Sequence, residues 1–295
     1  MLAVRGAGGD AGLVVRSSAS SIGFPGRAPG VLLLHGFTGT PWELAPVAEA
    51  IRDAGFAVRV PLLPGHGTDV RDLARTRWAD WRDAGEAALR ELLVQHGTAI
   101  VGGTSMGGLI AIALAAKHQT KHQNRAVIGL IALAPALRLQ PGTERSLRIG
   151  RWLGAALPNV FVPKPGGGTG AVDPDVRVHS PSYRYNPVRA ARELIAGQLE
   201  ARSVMAGVRV PALVMHGAED TTAPVEASLE LARAVASRDV TLAIVPRTGH
   251  AIARDYGRDE VARTAVQFVR RIAASRCGAT SEGEISQEDG KSGRI

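Results

Sequence analysis

A single cysteine, Cys277, stands in a chain of 295 residues, so neither an internal disulfide framework nor a cysteine-rich metal site can be built. No apolar run approaches the ~18–20 residues that a membrane helix requires, and mean hydropathy lies close to zero. Stable membrane insertion is therefore not expected. The opening stretch MLAVRGAGGDAGLVVRSSASS has no continuous apolar segment behind its charges. It does not read as a cleaved leader, and a cytoplasmic location is the expectation. Blocks of like charge are missing too, although the net charge is +8. A clustered basic face would attract phosphate. Here Arg71, Arg75, Arg77, Arg82, Arg90, Arg189, Arg192, Arg202, Arg270 and Arg271 are scattered, and they interleave with acids at helical spacing. That pattern describes a solvated surface, so nucleic acid is not an expected partner.

What the chain does have is apolar residues, 45% of the total, enough for one large α/β core. Short apolar runs alternate with longer amphipathic stretches. VLLLH (31–35), FAVRV (56–60), AIVGG (99–103), VIGLIAL (127–133), ALVMH (212–216) and TLAIV (241–245) read as strands. Most are nearly continuous in Val, Ile, Leu and Ala, as strands covered on both faces are. Helices are predicted over 41–54, 72–94, 105–118, 225–236 and 259–274, the first opened by Pro41, whose missing N–H does no harm in a first turn. The alternation predicts a mostly parallel sheet with helices on both faces. It is interrupted between Pro135 and Val210 by a basic amphipathic piece, a Gly/Pro-rich passage VPKPGGGTGAVDPD and a helical stretch. An insertion of that length is either a functional lid or disordered. Residues 277–295 are polar and small, and no regular structure is expected there. No internal repeat is present.

Gly103-Thr104-Ser105-Met106-Gly107 fits G-x-S-x-G with a strand before it and a helix after it. A sharp strand-to-helix turn leaves room only for small neighbours, and it lifts the central hydroxyl onto a helix N-terminus that can stabilise developing negative charge. The spacing matches neither the dinucleotide G-x-G-x-x-G nor the P-loop, which needs a lysine. A serine hydroxyl is a weak nucleophile without a base and a group that orients the base. TLAIVPRTGHAIARD places His250 in the loop after the last strand, and ALVMHGAEDTTAPVEAS places Asp220 after the preceding one, with Glu219 as a rival acid. Loops at the carboxyl ends of parallel strands share one edge, so these side chains can converge on Ser105. Oxyanion donors are expected from the N–H of Met106, after the serine, and from the loop His35-Gly36-Phe37-Thr38-Gly39, where Phe37 N–H is the candidate and inward packing of its ring an alternative.

Taken together, HGFTGTPWEL, PLLPGHGT, GGTSMGGLIA, HGAEDTTAPVEAS and TGHAIARDYGRDEV resemble the α/β-hydrolase superfamily. Within it they are most similar to the bacterial carboxylesterase and monoacylglycerol lipase group, over about residues 30–275 and in that group's order. The resemblance implies an α/β-hydrolase fold, Ser105 as nucleophile, His250 as base, Asp220 as orienting acid, and Phe37 and Met106 as oxyanion donors. It also implies a small cap at about 137–205, with SYRYNPVRAARELI as its last segment; VPKPGGGTGAVDPD matches nothing in the group.

The expected chemistry is two-step cleavage of a carboxylic ester through an acyl-enzyme, with a small-molecule ester or monoacylglycerol as substrate and neither metal nor cofactor. Gly36, Trp42, Leu147 and Trp152 are the candidate substrate-binding residues; Trp42, and Leu63 with it, are placed at the cleft by the resemblance alone. Leu147, Ile149, Trp152, Leu153 and Leu157 are either a greasy pocket or packing between cap and body. Arg145, Arg148 and Arg151 form a basic face, solvated or lipid-seeking. Thioesterase, carbon–carbon bond hydrolase and perhydrolase chemistry use the same constellation and stay open, as does a weakly catalytic ligand-binding protein.

Overall fold

A computed structural model describes residues 19–119, 126–141, 160–164 and 168–288, with side chains through 275. In chain order the strands are β1 (Ile22–Phe24), β2 (Arg27–Leu34), β3 (Phe56–Val60), β4 (Thr98–Thr104), β5 (Ala126–Leu133), β6 (Phe161–Pro163), β7 (Tyr185–Pro187), β8 (Ala212–Gly217) and β9 (Val240–Val245). The helices are α1 (Ala45–Asp53), led in by a 3₁₀ turn Pro41–Leu44, then α2 (Val70–Leu73), α3 (Trp78–His96), α4 (Met106–His118), α5 (Pro174–His179), α6 (Val188–Met205), α7 (Glu226–Ala234) and α8 (Arg258–Glu288). Seven strands form one sheet in the order β1-β3-β2-β4-β5-β8-β9. β1 runs antiparallel to β3; β3, β2, β4, β5, β8 and β9 are mutually parallel. The six strands expected from the apolar runs are all present, and the mostly parallel α/β architecture is the one expected.

Successive side chains of a strand point to opposite faces, and β2 shows both faces buried. Leu32 and Leu34 join Trp81, Leu89, Leu109, Leu194 and Leu231 under α3, α4, α6 and α7. Val31 and Leu33 join Ile51 and Phe268 under α1 and α8. Each such side chain contributes ~1.5–3 kcal/mol by leaving water. A few of them outweigh the ~1–3 kcal/mol that a residue in a sparsely populated backbone conformation costs, so this sheet can hold a strained turn at its edge.

The structure differs from expectation in four places. The helix predicted over 72–94 is two, because Asp80 accepts the Arg77 N–H at 2.8 Å and starts a new helix at Trp78. β1 is three residues long, too short to show a period. The insertion contains a small antiparallel pair, β6 with β7. Finally, α8 continues to Glu288, into the tail expected to lack regular structure. Extending a helix already nucleated adds a hydrogen bond per residue at no new nucleation cost, and no proline stops it there.

Candidate active site

Parallel registry brings the carboxyl ends of β2, β4, β5, β8 and β9 to one edge, with Leu34 opposite Gly103 and Thr104 opposite Leu133. Ser105 is the single residue between β4 and α4, at φ 53° and ψ −114°. That conformation is uncommon for a residue with a side chain. The glycines around it answer a need for contact: a Cβ at Gly103 would lie 2.4 Å from the Gly107 backbone, and one at Gly107 would lie 2.0 Å from the Leu34 carbonyl oxygen. The turn is pinned by Ser105 N–H donating to the Leu133 carbonyl at 3.0 Å and by Ala136 N–H donating to the Ser105 carbonyl at 3.2 Å.

The loops after β8 and β9 meet above it. Gly217 lets their backbones touch, since a Cβ there would sit 2.3 Å from the Thr248 carbonyl oxygen, and Glu219 N–H donates to that same carbonyl at 2.9 Å. His250 Nε2 lies 2.9 Å from Ser105 Oγ, and His250 Nδ1 lies 2.7 Å from Asp220 Oδ2. The other oxygen of Asp220 accepts the N–H groups of Thr222 and Ala223 at 2.8 and 2.9 Å. Glu219, the rival acid, is exposed. Burial opposes the Asp220 charge, but His250 and His216 beside it hold the carboxyl well below the usual carboxylate range. For His250, burial likewise opposes the charged form. Asp220, with a lesser pull from Glu43, outweighs it and leaves the imidazole above its ordinary value of 6.5. A base that gains affinity for a proton next to a serine hydroxyl is suited to take that proton.

In the loop after β2, three N–H groups are engaged. Gly36 donates to Glu43 Oε2 at 3.0 Å, Thr38 to His66 Nε2 at 3.2 Å, and Gly39 to the Gly36 carbonyl at 3.1 Å. Among the described residues Phe37 N–H, between two engaged neighbours, has no such partner and is free to donate. Its ring packs inward, edge-on to Trp81 at 5.8 Å, and both readings of Phe37 are thus compatible. Met106 N–H opens α4, where the first turn leaves donors unpaired. Burial drives His35 down to about 4 and holds His66 well below its ordinary value, which leaves His66 Nε2 free to accept from Thr38.

Several residues of this site were not singled out in the sequence. Glu43 lies half-buried beside Gly36, and desolvation raises its carboxyl against the opposing pull of the Gly36 N–H and Lys164. Lys164, brought down to about 8 by burial, donates to Thr38 Oγ1 and to the Gly168 carbonyl. Gly170, Val172 and Asp173 of the Gly/Pro-rich passage, which matched nothing, lie against the His250 loop. Gly170 O accepts the His250 N–H at 2.8 Å. Asp255, fully buried, accepts Gly249 N–H at 2.8 Å, Val172 N–H at 2.7 Å and Asp173 N–H at 2.9 Å. The expected substrate residues fare unevenly. Gly36 lies next to Ser105, a Cβ there being 3.3 Å from the serine Cβ, but its N–H is taken by Glu43. Trp42 carries the Arg254 guanidinium 4.0 Å above its ring, and Leu63 belongs to the core under α3 and α4. Leu147 and Trp152, with Ile149, Leu153, Leu157 and the three cap arginines, lie outside the described residues.

A strained serine between strand and helix, a histidine and a carboxylate in line with it, and an unengaged N–H across from it define a serine hydrolase of the α/β-hydrolase fold. The chain belongs to the serine aminopeptidase S33 (Hydrolase_4) family, which matches residues 28–256. It is 27% identical over 244 residues to the thermostable monoacylglycerol lipase of Bacillus sp. (strain H-257), covering 83% of this chain and 91% of that one. To the monoacylglycerol lipase of Mycolicibacterium smegmatis it is 28% identical over 239 residues, 75% of this chain and 81% of the other. Among solved structures, one described with LipS and LipT, two metagenome-derived lipolytic enzymes, superimposes with a TM-score of 0.76. It is 26% identical and covers 87% of this chain and 99% of that one.

Proposed function

We propose that this serine hydrolase cleaves carboxylic esters of the monoacylglycerol or simple alkyl kind through an acyl-enzyme on Ser105. The observation that carries the reading is the unbroken line from Ser105 Oγ through His250, at 2.9 and 2.7 Å, to Asp220. The names of the relatives support the choice of esters. Ser105 Oγ attacks the ester carbonyl while its proton passes to His250 Nε2, and the N–H groups of Phe37 and Met106 hold the oxyanion. His250 then gives the proton to the leaving alcohol. A water deprotonated by the same imidazole attacks the acyl-enzyme, and collapse of the second tetrahedral species returns the proton to Ser105 and releases the acid. The segment between β5 and β8, about 137–205 in the sequence reading, serves in this proposal as the cap that shapes the acyl pocket. No helix among the described residues is long and apolar enough to cross a membrane; we place the enzyme in the cytoplasm, acting on small-molecule esters.

The test is a panel of p-nitrophenyl esters from acetate to palmitate with monoacylglycerols alongside. Preference for short acyl chains would mark a carboxylesterase, and sustained glyceride turnover a lipase. No turnover of any ester, with cleavage of aminoacyl p-nitroanilides instead, would overturn the proposal in favour of peptidase chemistry.

Contact between the Gly/Pro-rich passage and the base makes a separate expectation. Gly170 sits at φ 65°, and a Cβ there would lie 2.8 Å from His250 Cβ and 2.8 Å from Thr222 Oγ1. Gly170→Val must push the imidazole away from Ser105. Displacement of a reacting group by about 1 Å costs up to ~10²-fold, so kcat/KM for p-nitrophenyl butyrate should fall by ~10- to 100-fold. Steady-state kinetics of the variant beside the parent chain checks this.

A further inference from the structure

His216 ends the apolar run of β8, is fully buried, and lies four residues before Asp220. None of the steps derived above uses it. Its Nε2 is 3.1 Å from Asp220 Oδ2 and 3.1 Å from the Ala223 carbonyl oxygen. Its Nδ1 is 2.7 Å from the hydroxyl of Ser228, a fully buried residue of α7. A carboxylate and a carbonyl only accept, so Nε2 carries a proton; a serine hydroxyl can donate, so Nδ1 of a neutral ring accepts from it. The surroundings of the ring thus select one tautomer.

We propose that His216 is a positioning residue for the hydrolysis, donating to the same Asp220 oxygen that His250 uses and thereby fixing where that carboxylate points. This rests on the roles given above to Ser105, His250 and Asp220. Asp220 accepts the Thr222 and Ala223 amides on Oδ1 and His250 on Oδ2, and the His216 Nε2, whose N–H also meets the Ala223 carbonyl, lies 3.1 Å from Oδ2. The amides fix Oδ1 to its own turn. On Oδ2, His216 alone ties the carboxylate to the rigid strand β8 and, through Ser228, to α7. Without it, His250 would be the sole partner of that oxygen, and the orientation of the base would depend on a group free to follow it. The Ser228 hydroxyl has a definite part: it keeps the Nε2 proton facing the carboxylate, where an unprotonated Nε2 would set lone pair against lone pair. A donor on Oδ2 also tempers the pull of Asp220 on the His250 proton. The other groups acting on that proton are Glu43, which strengthens its hold, and Lys164, which weakens it.

His216→Leu, His216→Gln and Ser228→Ala in the full chain test this. His216→Leu should lower kcat by ~10- to 100-fold, as misplaced catalytic groups do, with KM for a short p-nitrophenyl ester within about twofold. The midpoint of the acid limb of kcat/KM should move up, because His250 then holds its proton more tightly. His216→Gln, whose side-chain N–H can reach Oδ2, should recover most of the rate and the original midpoint; Ser228→Ala should fall between. Unchanged kcat and pH limb in His216→Leu would overturn the proposal. So would equal losses in the leucine and glutamine variants that track melting temperature and leave the limb in place, since that is the signature of a ring that only fills space. The downfield proton resonance of the His250–Asp220 bond gives a readout that needs no ester. Should the parent chain show no Ser105-dependent ester cleavage, the functional reading fails by itself. Movement of that resonance in His216→Leu would still support the positioning role, and an unmoved resonance would sink it.

Discussion

Ser105→Ala is expected to lower turnover of any ester the chain cleaves by ~10⁴- to 10⁶-fold, the range in which removal of a serine nucleophile falls when the oxyanion donors and the binding cleft are left intact. The fold should survive. The hydroxyl makes one hydrogen bond to His250, and a typical bond of that kind contributes ~0.5–1.5 kcal/mol net. Alanine also keeps a Cβ at φ 53°, ψ −114°, so the strain of the turn is retained. Ser105→Gly separates the two effects. It is equally without a nucleophile, yet it relieves a backbone position that glycine adopts freely, offset in part by the flexibility it adds to the unfolded chain. The glycine variant should therefore be as inactive as the alanine variant and melt at the higher temperature. Turnover of p-nitrophenyl butyrate and thermal melts of the three proteins check both halves. Retention of a tenth or more of the parent rate by Ser105→Ala would remove the serine from the mechanism.

The elements of this site that can be read from the sequence are those whose geometry is local. Gly103 and Gly107 flank Ser105 within five residues, and the apolar runs on either side give the strand and the helix; the contacts at 2.4 and 2.0 Å are the reason both must be glycine. Asp220 and His250 are legible because loops after parallel strands must emerge on one edge, so chain order alone predicts convergence. Phe37 could be named from the loop but not isolated within it. That its N–H stays free while those on either side do not follows from Glu43 and His66 occupying its neighbours, and His66 comes from a separate loop of the chain. The same holds for Gly170 and Lys164. Nothing near residue 170 announces that its carbonyl will meet the amide of residue 250. His216 is an intermediate case: a polar ring closing an otherwise continuous apolar strand is a visible anomaly, and only burial against Asp220 gives it meaning. The extent of α8 was missed for a different reason, since composition describes whether a segment can pack and says little about whether an existing helix will run on through it.

Asp220→Asn is the second substitution with a large effect, and it separates charge from shape. The amide keeps the volume and can keep an oxygen on the Thr222 and Ala223 N–H groups. It then presents NH₂ to His250 Nδ1, which favours the tautomer with the proton on Nε2, facing Ser105 where a lone pair is needed. It also faces the His216 Nε2 proton with a second donor. The loss in kcat should be about 10⁴-fold, as for removal of this carboxylate in other serine hydrolases, with KM little changed. The sign of the pH effect follows from the base. His250 works when neutral, and in the parent chain its affinity for a proton is raised above the ordinary value of 6.5, with Asp220 the largest favourable contributor. Activity of the parent is therefore present at alkaline pH and lost as pH falls through a midpoint above that value. Removing the negative charge leaves burial and Lys164 opposing the imidazolium against Glu43 alone, so the midpoint of whatever rate remains must slide to lower pH. Pre-steady-state and steady-state rates of Asp220→Asn between acid and alkaline pH measure both quantities. A limb that moved upward, or a rate within tenfold of the parent, would mean that the carboxylate at 220 does not stabilise the charged base. The proton taken from Ser105 would then have to be accommodated by another anion of the site, and Glu43 is the one placed to be tested for it.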